Sequence, residues 1–178
     1  VDAWWCDGTE PIDADWGNHA DNIANNAAAR FENNVRDQTH LLGALRVNTY
    51  SLHHSQGIYE NQRATTEQKR VTILTRSTYA GQQRYSTFVW NGDTKATWAD
   101  FAQQIPAGLN YISTGLPYWT IDAGAFFVAD KESWFWKGDF QKGPEDLGYR
   151  EFYVRNLQFC QWLPLFRSHG TDFGREPW

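Results

Sequence analysis

The sequence predicts an α/β chain made of parallel β/α units, part of a (β/α)8 barrel, and three observations carry that prediction. Short apolar runs alternate with stretches of helical periodicity. Each run stops at a charged or turn-forming residue. The runs deliver Asp7, Arg76, Asp93, Asp122 and His169 at their trailing ends, which is the end where closed (β/α) barrels keep their chemistry.

Val1 to Cys6 reads as a short buried strand, apolar apart from Asp2, and Asp7-Gly8 closes it. Residues 12 to 40 are rich in Asn, Ala and Asp with weak periodicity, predicting a long loop that carries one short helix. From Asn48 to Arg63, the spacing of Tyr50, Leu52, Ile58 and Tyr59 predicts a helix despite Gly57. Val71 to Leu74 is strand-like and runs into Thr75-Arg76-Ser77. Thr87 to Trp90 is a second such run, closed by Asn91-Gly92 with Asp93 next.

Thr97 with Asp100 three residues later makes a capping start, followed by Trp98, Phe101, Ala102, Ile105, Leu109 and Ile112 at helical spacing. Pro106 predicts a kink in that helix, and Gly115 its end. Tyr118 to Ile121 is a strand that stops at Asp122. Tyr149 to Leu163 is an amphipathic helix with Phe152, Tyr153, Leu157 and Cys160 on one side, and Leu165-Phe166 opens a last short strand before Arg167-Ser168-His169-Gly170. Five strands do not close an eight-stranded barrel. Val1 already stands inside an apolar run, and Arg175-Glu176-Pro177-Trp178 reads as the opening of a helix. Residues 1–178 are therefore expected to be a barrel segment incomplete at both ends.

Composition narrows the partner. The 178 residues carry a net charge of −5 with no basic cluster, which argues against nucleic acid, whose binding rests on neutralising phosphates. No apolar run is long enough for a membrane span, and no signal-peptide pattern opens the chain. Ten Trp, eight Tyr and eleven Phe admit two readings: an aromatic core, or rings that stack on the apolar faces of sugars. Cys6 and Cys160 lie in no CxxC or Cys/His array and read as free, mostly buried thiols. His53-His54 would point to different sides of a helix, so no metal site is expected. The partner is expected to be a neutral small molecule or polymer; compartment stays open.

Asp7 and Asp93 each follow an apolar or aromatic run, so both can face one site from two strand ends. A carboxylate pair ringed by aromatics is what cleavage of a glycosidic bond requires: one group attacks the cationic sugar carbon, the other protonates the departing oxygen. Each residue also has a structural reading. Asp7 could be a strand-end carboxylate in a salt bridge, Asp93 a turn residue of Asn-Gly-Asp, Arg76 a solvated arginine, and His169 a satisfied structural histidine.

The order of five motifs is more specific than any one of them. Trp5-x-Asp7-x-x-Glu10, Arg76-Ser77, Trp90-x-Gly92-Asp93, Asp122-x-Gly124-x-Phe126 and Phe166-Arg167-Ser168-His169 together resemble the catalytic barrel of glycoside hydrolase family 31, from about its fourth strand to its eighth. The resemblance implies a retaining α-glucosidase or α-xylosidase that uses no cofactor and acts on an oligosaccharide or glycoside. It implies Asp7 as nucleophile and Asp93 as general acid and base, which would stand about 5 to 5.5 Å apart in a retaining enzyme. It further implies that Arg76 holds substrate hydroxyls and steadies the charge of Asp7, that Asp122 and His169 bind sugar hydroxyls, that Trp5, Trp90 and Phe126 wall the pocket, and that Glu10 supports the site. Gly8 stands where many members carry a bulkier residue touching the sugar, implying a reshaped pocket. Trp134-Phe135-Trp136 matches no family role and reads as a hydrophobic loop anchor. The family's other barrel strands and flanking β-domains would be partners of this segment. Two alternatives remain at this stage: a catalytically silent carbohydrate-binding barrel, and an inactive isolated fragment.

Overall fold

The structure is a computed structural model that describes residues 1–9, 27–131 and 136–175. Glu10, Trp134, Phe135 and residues 176–178, where a helix is expected to open, fall outside the described residues. The chain divides into two units, Val1–Thr87 and Phe88–Trp178.

In the first unit, β1 (Trp4–Cys6) is followed by α1 (Ala27–Leu42), α2 (Tyr50–Thr65) and β2 (Ile73–Thr75). β1 and β2 run parallel, with Trp4 opposite Ile73, Trp5 opposite Leu74 and Cys6 opposite Thr75. A parallel pair needs a crossover, and α1 and α2 supply it. β2 is buried at every position, as expected of a strand covered on both faces.

The short helix expected within residues 12 to 40 is a 16-residue helix, α1, and residues 12–26 of the expected loop lie outside the described residues. Its Ala27-Ala28-Ala29 start has high helix propensity, and Phe31 and Val35 recur four residues apart. Glu32, Asn33 and Asn34 between them, and Asp37 beyond, dilute the periodicity without breaking the helix. α2 begins at Tyr50, two residues later than expected, after a single 3-10 turn at Val47–Thr49. Its buried residues are Ser51 and Ser55, small polar side chains one turn apart, and both reach Gln82. The Ser51 hydroxyl donates to Gln82 Oε1 at 3.0 Å, while Gln82 Nε2 donates to Ser55 Oγ at 3.0 Å and to Ser77 O at 3.2 Å. Tyr79 N–H completes the set at 2.9 Å. Gln82 is fully buried, and these four bonds satisfy its amide.

In the second unit, β3 (Thr87–Trp90) opens at the boundary, followed by α3 (Trp98–Ile112), β4 (Trp119–Thr120) and α4 (Leu147–Cys160). β3 and β4 are parallel, with Val89 opposite Trp119 and Trp90 opposite Thr120. Thr97 caps α3 as its spacing predicts: its hydroxyl accepts from Asp100 N–H at 3.0 Å. The helix continues through Pro106 to Ile112. Gly108 lets α3 approach β4 closely, since a Cβ there would lie 2.6 Å from the Trp119 ring.

The strand expected at Leu165-Phe166 does not form. Ala123 and Ser168 make an isolated parallel bridge instead, Ala123 N–H donating to Arg167 O at 3.3 Å. Pro164 has no N–H for a ladder, and the Thr120 hydroxyl occupies Leu165 O at 2.6 Å. α4 starts at Leu147 under an Asp146 cap and ends at Cys160, three residues short of the expected Leu163.

Much of the aromatic excess in this unit is core. Phe140, Tyr149 and Phe152 are buried with Ala96, Ala125 and Val128, and Phe101, Tyr153 and Phe173 pack on them. Phe101 and Phe152 meet edge to face at 5.8 Å, a favoured aromatic geometry. Cys160 is buried as expected, and burial pushes its thiol up to about 12. Cys6 is half-buried. Among the described residues, no helix is long and apolar enough to cross a membrane.

Candidate active site

Two groups of the sequence-predicted residues lie at strand ends, one in each unit. In the first, β1 ends at Cys6 and presents Asp7, while β2 ends at Thr75 and presents Arg76. Arg76 Nη1 lies 3.0 Å from Asp7 Oδ1. The Gly8 N–H donates to the same oxygen at 2.8 Å. Parallel pairing with Cys6 opposite Thr75 brings the two residues level, so the ion pair follows directly from strand register. Arg76 is mostly covered and Asp7 half exposed (17% and 50% of the side chain), leaving the carboxylate open to a ligand. Trp5, one of the expected aromatic walls, is 53% exposed.

Beyond Gly8 the chain is tied down at Thr9. Thr9 is buried, and its hydroxyl lies 2.8 Å from the Thr75 hydroxyl. Ser77 donates its N–H to Thr9 Oγ1 at 3.2 Å and its hydroxyl to Thr9 O at 2.8 Å. Residues 75, 76 and 77 therefore hold both ends of the Asp7-Gly8 turn.

The second unit gathers Trp90, Asp93, Asp122, Phe126 and His169. Asp93 follows β3 after Asn91-Gly92 and is exposed. Its segment is fastened on both sides: Asn91 Nδ2 donates to Gln104 Oε1 of α3 at 2.5 Å, and Thr94 O accepts from Phe126 and Phe127 N–H at 3.0 and 2.9 Å. Asp122 follows β4 and is almost wholly buried (1% exposed). Its Oδ1 accepts from Arg167 Nη1, whereas its buried Oδ2 has no hydrogen-bond partner among the described residues.

Burial pushes the Asp122 carboxyl up to about 7; Arg167 opposes this, the charge of Asp93 adds to it and Arg175 opposes it. Trp90 is buried (2% exposed), with the Arg167 guanidinium 5.5 Å from its ring centroid. Phe126 is half-buried, and its ring lies 5.6 Å from that of His169.

Sequence reasoning missed two arginines. Arg167 stood inside the Phe-Arg-Ser-His motif without a role, yet it joins Asp122 to Trp90. Arg175 is buried and gathers backbone carbonyls: Nη1 donates to Ala125 O and, at 2.5 Å, to His169 O, while Nη2 donates to Phe126 O and Thr171 O, both at 3.1 Å. In the remaining aromatic motif, Trp136 packs 4.7 Å from the Phe127 ring under Lys131.

The sequence model of the glycosyl hydrolases family 31 TIM-barrel domain matches residues 1–178. The chain belongs to glycoside hydrolase family 31. It is 37% identical over 180 residues to an alpha-xylosidase of Saccharolobus solfataricus, covering all of this chain and 21% of that relative. A family 31 alpha-xylosidase of Xanthomonas citri has a similar structure, with a TM-score of 0.66 and 32% identity over 96% of this chain and 17% of its own. A family 31 dextranase of Flavobacterium johnsoniae, solved with isomaltotriose, gives a TM-score of 0.68 at 28% identity over all of this chain and 20% of its own. The chain thus spans about a fifth of these relatives, and its fold is part of the family 31 TIM barrel.

Proposed function

We propose that residues 1–178 are the C-terminal portion of the catalytic barrel of a retaining α-glycosidase, acting within a longer polypeptide that completes the barrel. The observation that carries this reading is the family match across all 178 residues, with Asp7 held by Arg76 at the end of β1. The substrate is a terminal α-linked sugar. The alpha-xylosidases among the relatives favour xylose, with glucose next.

Asp7 attacks the anomeric carbon through an oxocarbenium-like transition state while Asp93 protonates the leaving oxygen. Water, deprotonated by Asp93, then releases the sugar with its configuration retained. Arg76 steadies Asp7, and His169, Phe126 and Trp5 contact the sugar. Trp90 and Asp122, both buried, back the site through Arg167.

The test is turnover of nitrophenyl α-xyloside and α-glucoside by the full-length polypeptide. Asp7→Asn is expected to abolish it. Asp93→Ala is expected to keep some activity on these good leaving groups and to regain more with azide. An Asp93→Ala variant as active as wild type on a disaccharide would sink the assignment. A silent carbohydrate-binding barrel has less support, because binding alone requires neither carboxylate.

A further inference from the structure

We propose that Gly8 is a positioning residue: its backbone N–H and Arg76 together fix Oδ1 of Asp7, so that Oδ2 is the oxygen that bonds to the sugar. The proposal rests on the reading of Asp7 as nucleophile. Both contacts to the carboxylate fall on Oδ1, the Gly8 N–H at 2.8 Å and Arg76 Nη1 at 3.0 Å. None falls on Oδ2 among the described residues. A free carboxylate exchanges its oxygens by rotation about Cβ–Cγ. Two donors on one oxygen stop that rotation and set the carboxylate plane before substrate arrives, the preorganisation that makes a near-attack geometry productive.

The same arrangement serves both halves of the reaction. In the first, an Oδ2 lone pair forms the bond to the anomeric carbon, the glycosidic electron pair leaves with the departing oxygen, and Asp93 supplies its proton. Oδ1 becomes the carbonyl oxygen of the glycosyl ester, still facing its two donors. In the second, water adds to the anomeric carbon, Asp93 takes its proton, and the carbon–Oδ2 pair returns to the carboxylate. Donors on Oδ1 then stabilise the returning charge without moving.

Position 8 requires glycine for its backbone rather than for its size. Gly8 has φ +59°, in the left-handed region, yet a Cβ built there would find no heavy atom within 4 Å. A side chain therefore has room, but an L residue is strained unless it tolerates this conformation, as Asn does and a β-branched residue does not. The turn cannot relax easily, because Thr9 is anchored to Thr75 and Ser77.

The experiment uses the full-length enzyme with Gly8→Asn, Gly8→Ala and Gly8→Val, and reads the rate of covalent labelling by a 5-fluoro-α-glycosyl fluoride beside kcat and KM. Gly8→Asn is expected to keep more of the wild-type labelling rate than Gly8→Ala or Gly8→Val, because Asn tolerates the left-handed backbone. Gly8→Val is expected to label about a hundredfold more slowly, with a matching loss in kcat and little change in KM. Gly8→Ala should fall between them, and keeps the test decisive if the Val variant does not fold. Equal rates for Gly, Ala and Val, equal losses in Asn and Val, or a loss confined to KM would overturn the role of Gly8. Asp7→Asn separates the two readings: if it still labels, the nucleophile assignment fails; if it is inert while Gly8→Val labels normally, only the present proposal fails.

Discussion

Arg167 places its guanidinium 5.5 Å from the centroid of the Trp90 ring while donating to Oδ1 of Asp122. One cation thus links the end of β3 to the end of β4. The Asp122 side chain is fully covered and that of Arg167 is 13% exposed, so the pair is screened little by solvent. Removing one partner of such a pair leaves the other charge buried and costs about 3 to 5 kcal/mol. Above pH 7, where Asp122 carries its charge, Arg167→Met is accordingly expected to lower stability by about 3 kcal/mol, and less at lower pH, where the carboxyl holds a proton. Asp122→Leu combined with Arg167→Met should lose less than the sum of the single variants, as chemical denaturation in a double-mutant cycle will read.

Asp122 also gives the fold a pH dependence of defined sign. Its carboxyl is raised from 3.8 to about 7, chiefly by burial, so between those values the folded state holds a proton that the unfolded state has lost. The stability this proton contributes is fully present below about pH 4 and lost as pH rises toward 7. The charged groups facing Asp122 are Arg167, Asp93 and Arg175, and the Cys160 thiol is near. Asp122→Asn is expected to flatten the melting temperature between pH 4 and 7 relative to wild type. An unchanged slope would show that Asp122 is not the titrating group.

Gln82 holds α2 to the loop after β2 through four hydrogen bonds in a fully buried position. Replacing it with Leu strands the Ser51 and Ser55 hydroxyls and the Tyr79 N–H, each costing about 1 kcal/mol or more. Gln82→Leu is expected to destabilise by about 2 to 4 kcal/mol. It should also lower turnover, because Ser77 O is one of the partners and Ser77 anchors Thr9.

Thr97→Ala tests the fold without touching the chemistry. The lost bond to Asp100 N–H should cost about 1 kcal/mol in thermal unfolding, with kcat and KM unchanged.

How far these features are legible in the sequence depends on how local their causes are. β3 is legible to the residue because Thr-Phe-Val-Trp is a compact β-prone run with Asn-Gly behind it. The Thr97 cap is legible because donor and acceptor are three residues apart. The Asp7–Arg76 pair can be anticipated as two strand ends of one parallel pair, though the register that joins them emerges only from the fold. α1 is obscured because Asn33, Asn34 and Asp37 interrupt its apolar spacing while Phe31, Val35 and Leu41 stay exposed. Gln82 bonds residues 31 and 27 positions upstream, and Arg175 reaches back 50 positions to Ala125. Nothing near either residue in the sequence announces such partners.

Arg175 carries a further consequence for how this end of the molecule breathes. Its guanidinium bonds carbonyls from two segments, Ala125-Phe126 and His169 to Thr171, and the Thr171 N–H returns a bond to Phe126 O at 3.1 Å. Neither stretch can swing outward without stranding a desolvated cation, so the two must open in concert. Amide hydrogen exchange should therefore give one shared opening free energy for 123–127 and 168–173, with Phe126 and His169 exposed or shielded as a unit.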